Sequence, residues 1–333
     1  MRILLKALYG LLGIVTIALG VVALTLTVLR WQADGRETRP AAEAAPITGR
    51  YVRANDIQMF VQEEGAADAP AIVFIHGTGA WSETWRETME AVAKAGFRAI
   101  AMDLPPFGYS ERPATQRYER PDQAKRIIGA LDTLKLDQVI LVGHSFGAGP
   151  TVEATFTAPG RVRALVLVDA ALGLRVSGEP AESNRVVQNL LGVRPLRDSL
   201  VAAFLTNPRF TQRLLQSFIA DPAVATDLRT ALYQQPLNVT GTTPAVGAWL
   251  PALLTPTQGA RSSQVSAYQS LAMPVYIIWG ALDTVTPPQQ GEHLQKITPR
   301  SEFALMRNVG HIPQIEDTAQ FNAVLLRFLT LHR

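Results

Sequence analysis

QVILVGHSFGAGP, residues 138–150, decides how the rest of this 333-residue chain is read. Gln138 to Val142 is a short apolar run of β-branched and aliphatic residues, the signature of a buried strand. A helical pattern, Phe146–Ala158, follows directly. Between them lies Gly143-His144-Ser145-Phe146-Gly147, a G-x-S-x-G on a strand-to-helix turn, which is the context of a nucleophile elbow. Such a turn exposes the Ser145 hydroxyl above the sheet. Gly143 and Gly147 leave room for the strand and helix that pass close by. The helix N-terminus offers unpaired N–H groups where an oxyanion develops.

Outward from the elbow, apolar runs alternate with helical patterns. YVRAN-DIQMFVQEEG (51–65) reads as a hairpin turning at Asn55-Asp56. Strands are expected at 71–75, 97–102, 138–142, 163–168, 275–279 and 302–306. Helices are expected at 81–95, 120–136, 289–297 and 317–331. Strands without strict alternation, each followed by a helix, predict an α/β fold with a mostly parallel sheet covered on both faces. Residues 171–271 break the rhythm with helix-like stretches at 182–191, 196–205, 209–219 and 223–234. This segment reads as a helical lid inserted before the next-to-last strand, since a structureless loop of that size is improbable. The core is then 49–170 with 272–333.

A serine hydroxyl needs a base. Of five histidines, His332 is terminal, His293 sits within a helix, His144 lies inside the elbow and His76 ends a strand. His311, in a loop after the final strand, is the expected general base. Asp283, after VYIIW, gives the order Ser…Asp…His used on this sheet type and is the expected orienting acid. Asp169, after RALVLV, is its competitor. Glu316 and Asp317 read as first-turn acids of the last helix. The expected oxyanion donors are the N–H groups of Phe146 and Thr78, with Gly79 as the alternative to Thr78.

Together FIHGTG (74–79), DLPPFGYSERP (103–113), GHSFGAG (143–149), WGALDTVTP (279–287) and VGHIP (309–313) resemble the α/β-hydrolase family, in particular its lid-bearing esterases and lipases. The resemblance covers roughly Arg50–Leu331. It implies an eight-stranded sheet, a Ser145–Asp283–His311 triad, and a bracing role for Asp103 and Ser110. Pro150 departs from the family's usual helix former, early enough in its helix to be tolerated. Relatives with Asp at the elbow, the epoxide hydrolases and haloalkane dehalogenases, are excluded by Ser145. Carboxylic ester hydrolysis through an acyl-enzyme is the expected activity, with carbon–carbon bond hydrolysis or a non-catalytic binding module as alternatives. Lid residues Leu190, Leu191, Phe204, Leu205, Phe210, Leu214, Leu215, Phe218, Trp249 and Leu250 are candidates to line an apolar pocket for a small ester-like substrate.

Composition narrows the rest. With no Cys, zinc fingers, Cys-ligated clusters and a thiol nucleophile are excluded. Net charge is +3, and beyond residue 45 there are 26 basic and 25 acidic residues, which leaves no footprint for nucleic acid. No nucleotide-binding glycine pattern and no metal-ligand spacing is present, so no cofactor or metal is expected. Ala7–Leu29 is an uncharged run of 23 residues, long enough to cross a hydrocarbon core of roughly 30 Å. A cleaved signal peptide would have a shorter apolar region, and the nearest small-x-small site is Ala42-Glu43-Ala44, well downstream. A retained single-pass anchor (1–31) is expected, followed by a linker (32–48). Arg2 and Lys6 favour a cytoplasmic N-terminus and an extracytoplasmic body, against a weaker pull from Arg30, Arg36 and Arg39.

Overall fold

Apolar runs of five to seven residues bury both sheet faces only if helices cover each side, and that arrangement is what forms. The computed structural model describes residues 2–174, 189, 191–254 and 259–332. The strands are β1 (Gly49–Ala54), β2 (Ile57–Glu64), β3 (Ala71–Ile75), β4 (Arg98–Met102), β5 (Val139–His144), β6 (Val162–Val168), β7 (Val275–Gly280) and β8 (Ser301–Met306). They make one eight-stranded sheet in the order β1-β2-β4-β3-β5-β6-β7-β8. β2 is antiparallel to both β1 and β4; the remaining pairs are parallel. The β1–β2 turn holds Asn55 at φ 57°, a left-handed position that Asn tolerates. Successive side chains alternate faces: Ile72 and Phe74 join one core, Val73 and Ile75 the other.

Among the described residues, the α-helices longer than four residues are α1 (Arg2–Arg36), α2 (Arg86–Lys94), α3 (Arg120–Thr133) and α4 (Ala148–Thr157), then four in the insertion between β6 and β7. Those four are α5 (Arg194–Leu200), prolonged by a π-helical turn at Val201–Leu205, α6 (Pro208–Phe218), α7 (Asp227–Gln234) and α8 (Thr242–Leu254). α9 (Pro288–Ile297) and α10 (Thr318–Leu331) complete the chain. Met89 and Val92 of α2 pack with Phe321, Leu325 and Phe328 of α10 on one face of the sheet. Ile127 and Leu131 of α3 pack with Val152 of α4 on the other. Local caps set the insertion's helix starts: Asn207 accepts from Arg209 N at 3.2 Å, and Thr226 from Arg229 N at 3.2 Å.

Two features differ from the sequence expectations. A third expectation, the helix at 182–191, falls almost wholly outside the described residues. α8 forms where Pro, Gly and Thr predicted punctuation; Pro244 falls in its first turn, where a missing N–H is tolerated, and Trp249 is buried in the core. The 32–48 stretch is not a free linker. α1 continues to Arg36, Ala33 is fully buried, and Glu37 accepts bonds from Thr243 N at 3.0 and 3.1 Å and from Thr243 Oγ1. Arg39 then bridges to the insertion, donating to Asn238 O at 3.2 Å and accepting from Thr240 N at 2.9 Å. The Glu37 carboxylate thereby takes one of the N–H groups left unpaired at the start of α8. Within α1, the 28-residue stretch Tyr9–Arg36 contains an 18-residue window of mean hydropathy 2.5, long and apolar enough to cross a membrane.

Candidate active site

β5 runs straight into Ser145, whose φ of 52° puts it in the left-handed region that a non-glycine residue adopts only under constraint. The flanking glycines supply that constraint by close approach. A Cβ on Gly147 would sit 2.3 Å from His76 O, and one on Gly143 would sit 2.7 Å from Thr151 Oγ1 and 2.8 Å from Ala148 Cα. β7 ends at Gly280 and delivers Asp283; β8 ends at Met306 and delivers His311.

These three elements bring the three predicted side chains into one line. His311 Nε2 lies 2.8 Å from Ser145 Oγ, and His311 Nδ1 lies 2.8 Å from Asp283 Oδ2. All three residues are buried. Because a carboxylate only accepts, Nδ1 carries the proton and Nε2 is left to accept from the serine hydroxyl. Asp283 is itself fixed: Thr286 Oγ1 donates to Oδ2 at 2.6 Å, while Val285 N and Thr286 N donate to Oδ1 at 2.8 and 3.0 Å. Burial alone pushes the Asp283 carboxyl up, but the bonds from His311 and Thr286 outweigh it and hold the pKa below its ordinary value. The Thr286 contact was missed in the sequence, although Asp followed by turn residues is the pattern in which a carboxylate captures N–H groups two and three positions on.

Asp169, the competitor, is buried beside this line and does not bond to the imidazole. Its Oδ1 accepts from Gly280 N at 2.9 Å, and its Oδ2 is buried without a hydrogen-bond partner among the described residues. Burial, then the nearby Asp283 charge, raises its pKa well above the ordinary range and favours the neutral acid. Asp169, Asp283 and His311 each offer a ligand atom within 4.8 Å of the others. Two of those three groups are already committed to the serine–histidine–aspartate line.

The remaining histidines brace the site. His76 Nε2 accepts from Leu104 N at 2.9 Å, so its Nδ1–H donates to Gly77 O at 2.8 Å, tying the HGTG turn to the loop after β4. Burial pushes its pKa down to about 4, so the ring stays neutral. His144 donates from Nε2 to the His311 carbonyl at 2.7 Å, and burial with the adjacent His311 pushes its pKa down to about 3. Asp103 accepts from Ser82 N at 2.6 Å and Tyr109 N at 2.7 Å, and Ser110 Oγ donates to Asp103 O at 2.6 Å. His293 and His332 are half-buried and lie outside this cluster.

Glu316 departs from its reading as a helix-start acid. It sits in a turn ahead of α10, and its carboxylate reaches back to accept from Gly310 N at 2.9 Å, Ile312 N at 2.9 Å and Ala220 N at 2.7 Å. The His311 loop is thereby clamped from both sides, and His311 N donates to Phe218 O at the end of α6 at 2.8 Å. Asp317 does cap α10, accepting from Gln320 N at 2.9 Å.

Ser145 and His311 open onto a cavity of about 240 Å³. Of the insertion residues expected to line it, Leu205, Leu214, Leu215, Phe218 and Trp249 do so; Leu191, Phe204, Phe210 and Leu250 do not, and Leu190 lies outside the described residues. Thr78 and Gly79 form the wall beside the serine. Phe146 packs edge-on to Phe107 and Trp249, which sets the position of the helix start that carries its N–H. Arg112, from the loop read as a brace, also reaches the wall. Its guanidinium already donates to the carbonyls of Ser110 at 2.6 Å and Gly108 at 2.9 Å and to Thr242 Oγ1 at 3.0 Å.

The family model for the alpha/beta hydrolase fold matches residues 70–318. The chain is 31% identical over 296 residues to the 2-hydroxymuconate semialdehyde hydrolase of Pseudomonas sp. (strain CF600), covering 87% of this chain and 96% of that protein. Among solved structures it is similar to the meta-cleavage product hydrolase of Pseudomonas fluorescens IP01, at TM-score 0.66 and 24% identity over 86% of this chain and 99% of that one. It is also similar to a membrane phospholipase A, at TM-score 0.66 and 21% identity over 98% of each chain. At these identities the two structures speak for the fold alone. The elbow, the strand order and the matched length agree: the chain belongs to the α/β hydrolase family.

Proposed function

We propose that this chain is a membrane-anchored serine hydrolase that cleaves carboxylic esters with an uncharged, apolar acyl group. The observation that carries the reading is the unbroken line from Ser145 Oγ through His311 to Asp283, 2.8 Å at each step, at the floor of an apolar cavity. In this mechanism His311 Nε2 takes the Ser145 proton as Oγ attacks the ester carbonyl. The N–H groups of Phe146 and Thr78 receive the oxyanion. His311 then returns the proton to the departing alkoxide, leaving an acyl-enzyme. A water gives its proton to His311 and attacks the acyl carbon; His311 returns that proton to Ser145 Oγ as the acyl–oxygen bond breaks and the acid leaves. Asp283 keeps the imidazole in the productive tautomer and stabilises the imidazolium in both halves. The body is placed on the extracytoplasmic side, as Arg2 and Lys6 favour.

Carbon–carbon bond hydrolysis is the second reading, favoured by the 31% identical relative. Against it stands Arg112, whose two terminal nitrogens donate to protein acceptors; only its buried Nε lacks a partner among the described residues, which leaves a single N–H rather than a two-pronged face for a substrate carboxylate. Steady-state assays of the full-length protein separate the two. The ester reading expects turnover of p-nitrophenyl esters across acyl lengths and no decay of the 2-hydroxymuconate semialdehyde chromophore. The reverse pattern transfers the assignment to carbon–carbon cleavage. Turnover of neither, with no acyl-enzyme, leaves a binding module.

A further inference from the structure

The cavity and α1 meet at the same part of the insertion. Along α1 and the residue that follows it, Leu26, Leu29, Arg30, Ala33, Arg36 and Glu37 are half-buried or buried, and every residue between them is exposed. Spacings of three and four place them on one face of the helix. Residues 194–205 pack against α1, and Arg36 Nη2 donates to Thr206 O at 3.2 Å. Leu26 and Leu29 belong to the uncharged run that ends at Leu29. From Glu37 back to Leu26 is about 16 Å along a helix axis. The covered face thus extends from the chain's docked turn into the apolar run itself, so a bilayer spanned by α1 would meet the insertion.

The surface it would meet is apolar. Leu200, Phe204 and Leu205, at the end of the segment on α1, are 36%, 54% and 39% exposed, and Leu253 and Leu254 at the end of α8 are 36% and 54% exposed. Water does not favour such a patch, whereas lipid does. Leu205 and Leu253 are also cavity-wall residues. Among the described residues, they and Val285 are the most exposed large apolar residues of the wall.

We infer that the cavity opens between Leu205 and Leu253 into the bilayer beside α1, and that its substrate is an acyl lipid dissolved in that bilayer. This deepens the proposed serine hydrolase reading and rests on it. The occupant of the patch is lipid, because the same segment is held against a helix long and apolar enough to cross a membrane, the one such helix among the described residues.

The test uses full-length protein in phosphatidylcholine vesicles and two fluorophosphonates: a short water-soluble one and a sixteen-carbon one that partitions into the vesicles. Both report attack by Ser145. With Phe204→Glu and Leu254→Glu combined, the long probe is expected to label at least tenfold more slowly, and the short probe within twofold of wild type. Equal slowing of both probes, or of neither, overturns the inference. In the wild type, labelling by the long probe is expected to follow its mole fraction in the vesicles at constant bulk concentration; a rate that follows bulk concentration instead also overturns it. Wild type that the short probe fails to label removes the serine hydrolase reading itself, a separate result.

Discussion

At Asp169 and Asp283 two buried carboxyls in the same corner are driven in opposite directions. Asp283 is fed three donors besides the imidazole and is held ionised; Asp169 has one N–H and a burial cost, and is held neutral. Asp283→Asn removes the acceptor that fixes the His311 tautomer, so kcat should fall about 10⁴-fold. Asp169→Asn keeps an acceptor for Gly280 N, and its kcat should stay within a few-fold of wild type. A larger loss from Asp169→Asn in parallel steady-state assays would reverse the assignment. The stability consequences also have opposite signs. Asp283, lowered in the fold, contributes stability that is present above its unfolded pKa of about 3.9 and lost as pH falls through its folded value. Asp169, raised in the fold, contributes stability that is full below about 3.9 and lost as pH rises through its folded value. Thermal melts from pH 4 to 9 should therefore show Asp169→Asn gaining on wild type as pH rises; a Tm difference flat with pH contradicts the neutral acid.

The loop after β8 shows how an element positions a reacting atom. His311 is held at its carbonyl by His144, at its N–H by Phe218, and at its neighbours by Glu316. Glu316→Ala leaves the N–H groups of Gly310, Ile312 and Ala220 without their acceptor. It should cost about 1–3 kcal/mol, read in urea unfolding, together with a fall in kcat larger than any rise in KM. Unchanged stability would mean that water replaces the carboxylate fully. This clamp also marks the limit of the sequence. Strands such as AIVFI and QVILV were legible because burial on both faces leaves an unbroken apolar run, and Ser145 and Asp283 were legible because each follows such a strand; His311 follows β8, a partly exposed edge strand, and stood out as the histidine in the loop after it. Glu316 looked like any acid before a helix, and His144 like an elbow filler, because their partners lie across a tertiary contact. α8 was obscured by its own composition: Gly247 and Pro251 weaken the helical pattern locally, while Trp249 and Val246 pay it back in packing against the core.

Over the whole molecule, the N-terminal helix is a structural part of the hydrolase body as well as a candidate anchor. Residues 32–48 have the Ala, Pro and charge content of a linker, and nothing local signals that Glu37 bonds to Thr243, 206 residues away. Glu37→Ala strips Thr243 N and Oγ1 of that acceptor and should lower the melting temperature of full-length protein measurably in differential scanning fluorimetry; an unchanged value would mean that the docking carries no weight. An intact anchor predicts that the protein stays with the membrane pellet through an alkaline carbonate wash, and release into the supernatant would argue for a cleaved or peripheral segment. The account as a whole depends on a serine and a histidine 166 residues apart acting as one nucleophile. Intact-mass analysis after treatment with a short fluorophosphonate measures that directly. Wild type should gain one phosphonyl group per chain, His311→Ala should react far more slowly, and Ser145→Ala should gain none. An unmodified wild type, or undiminished labelling of Ser145→Ala, would contradict it.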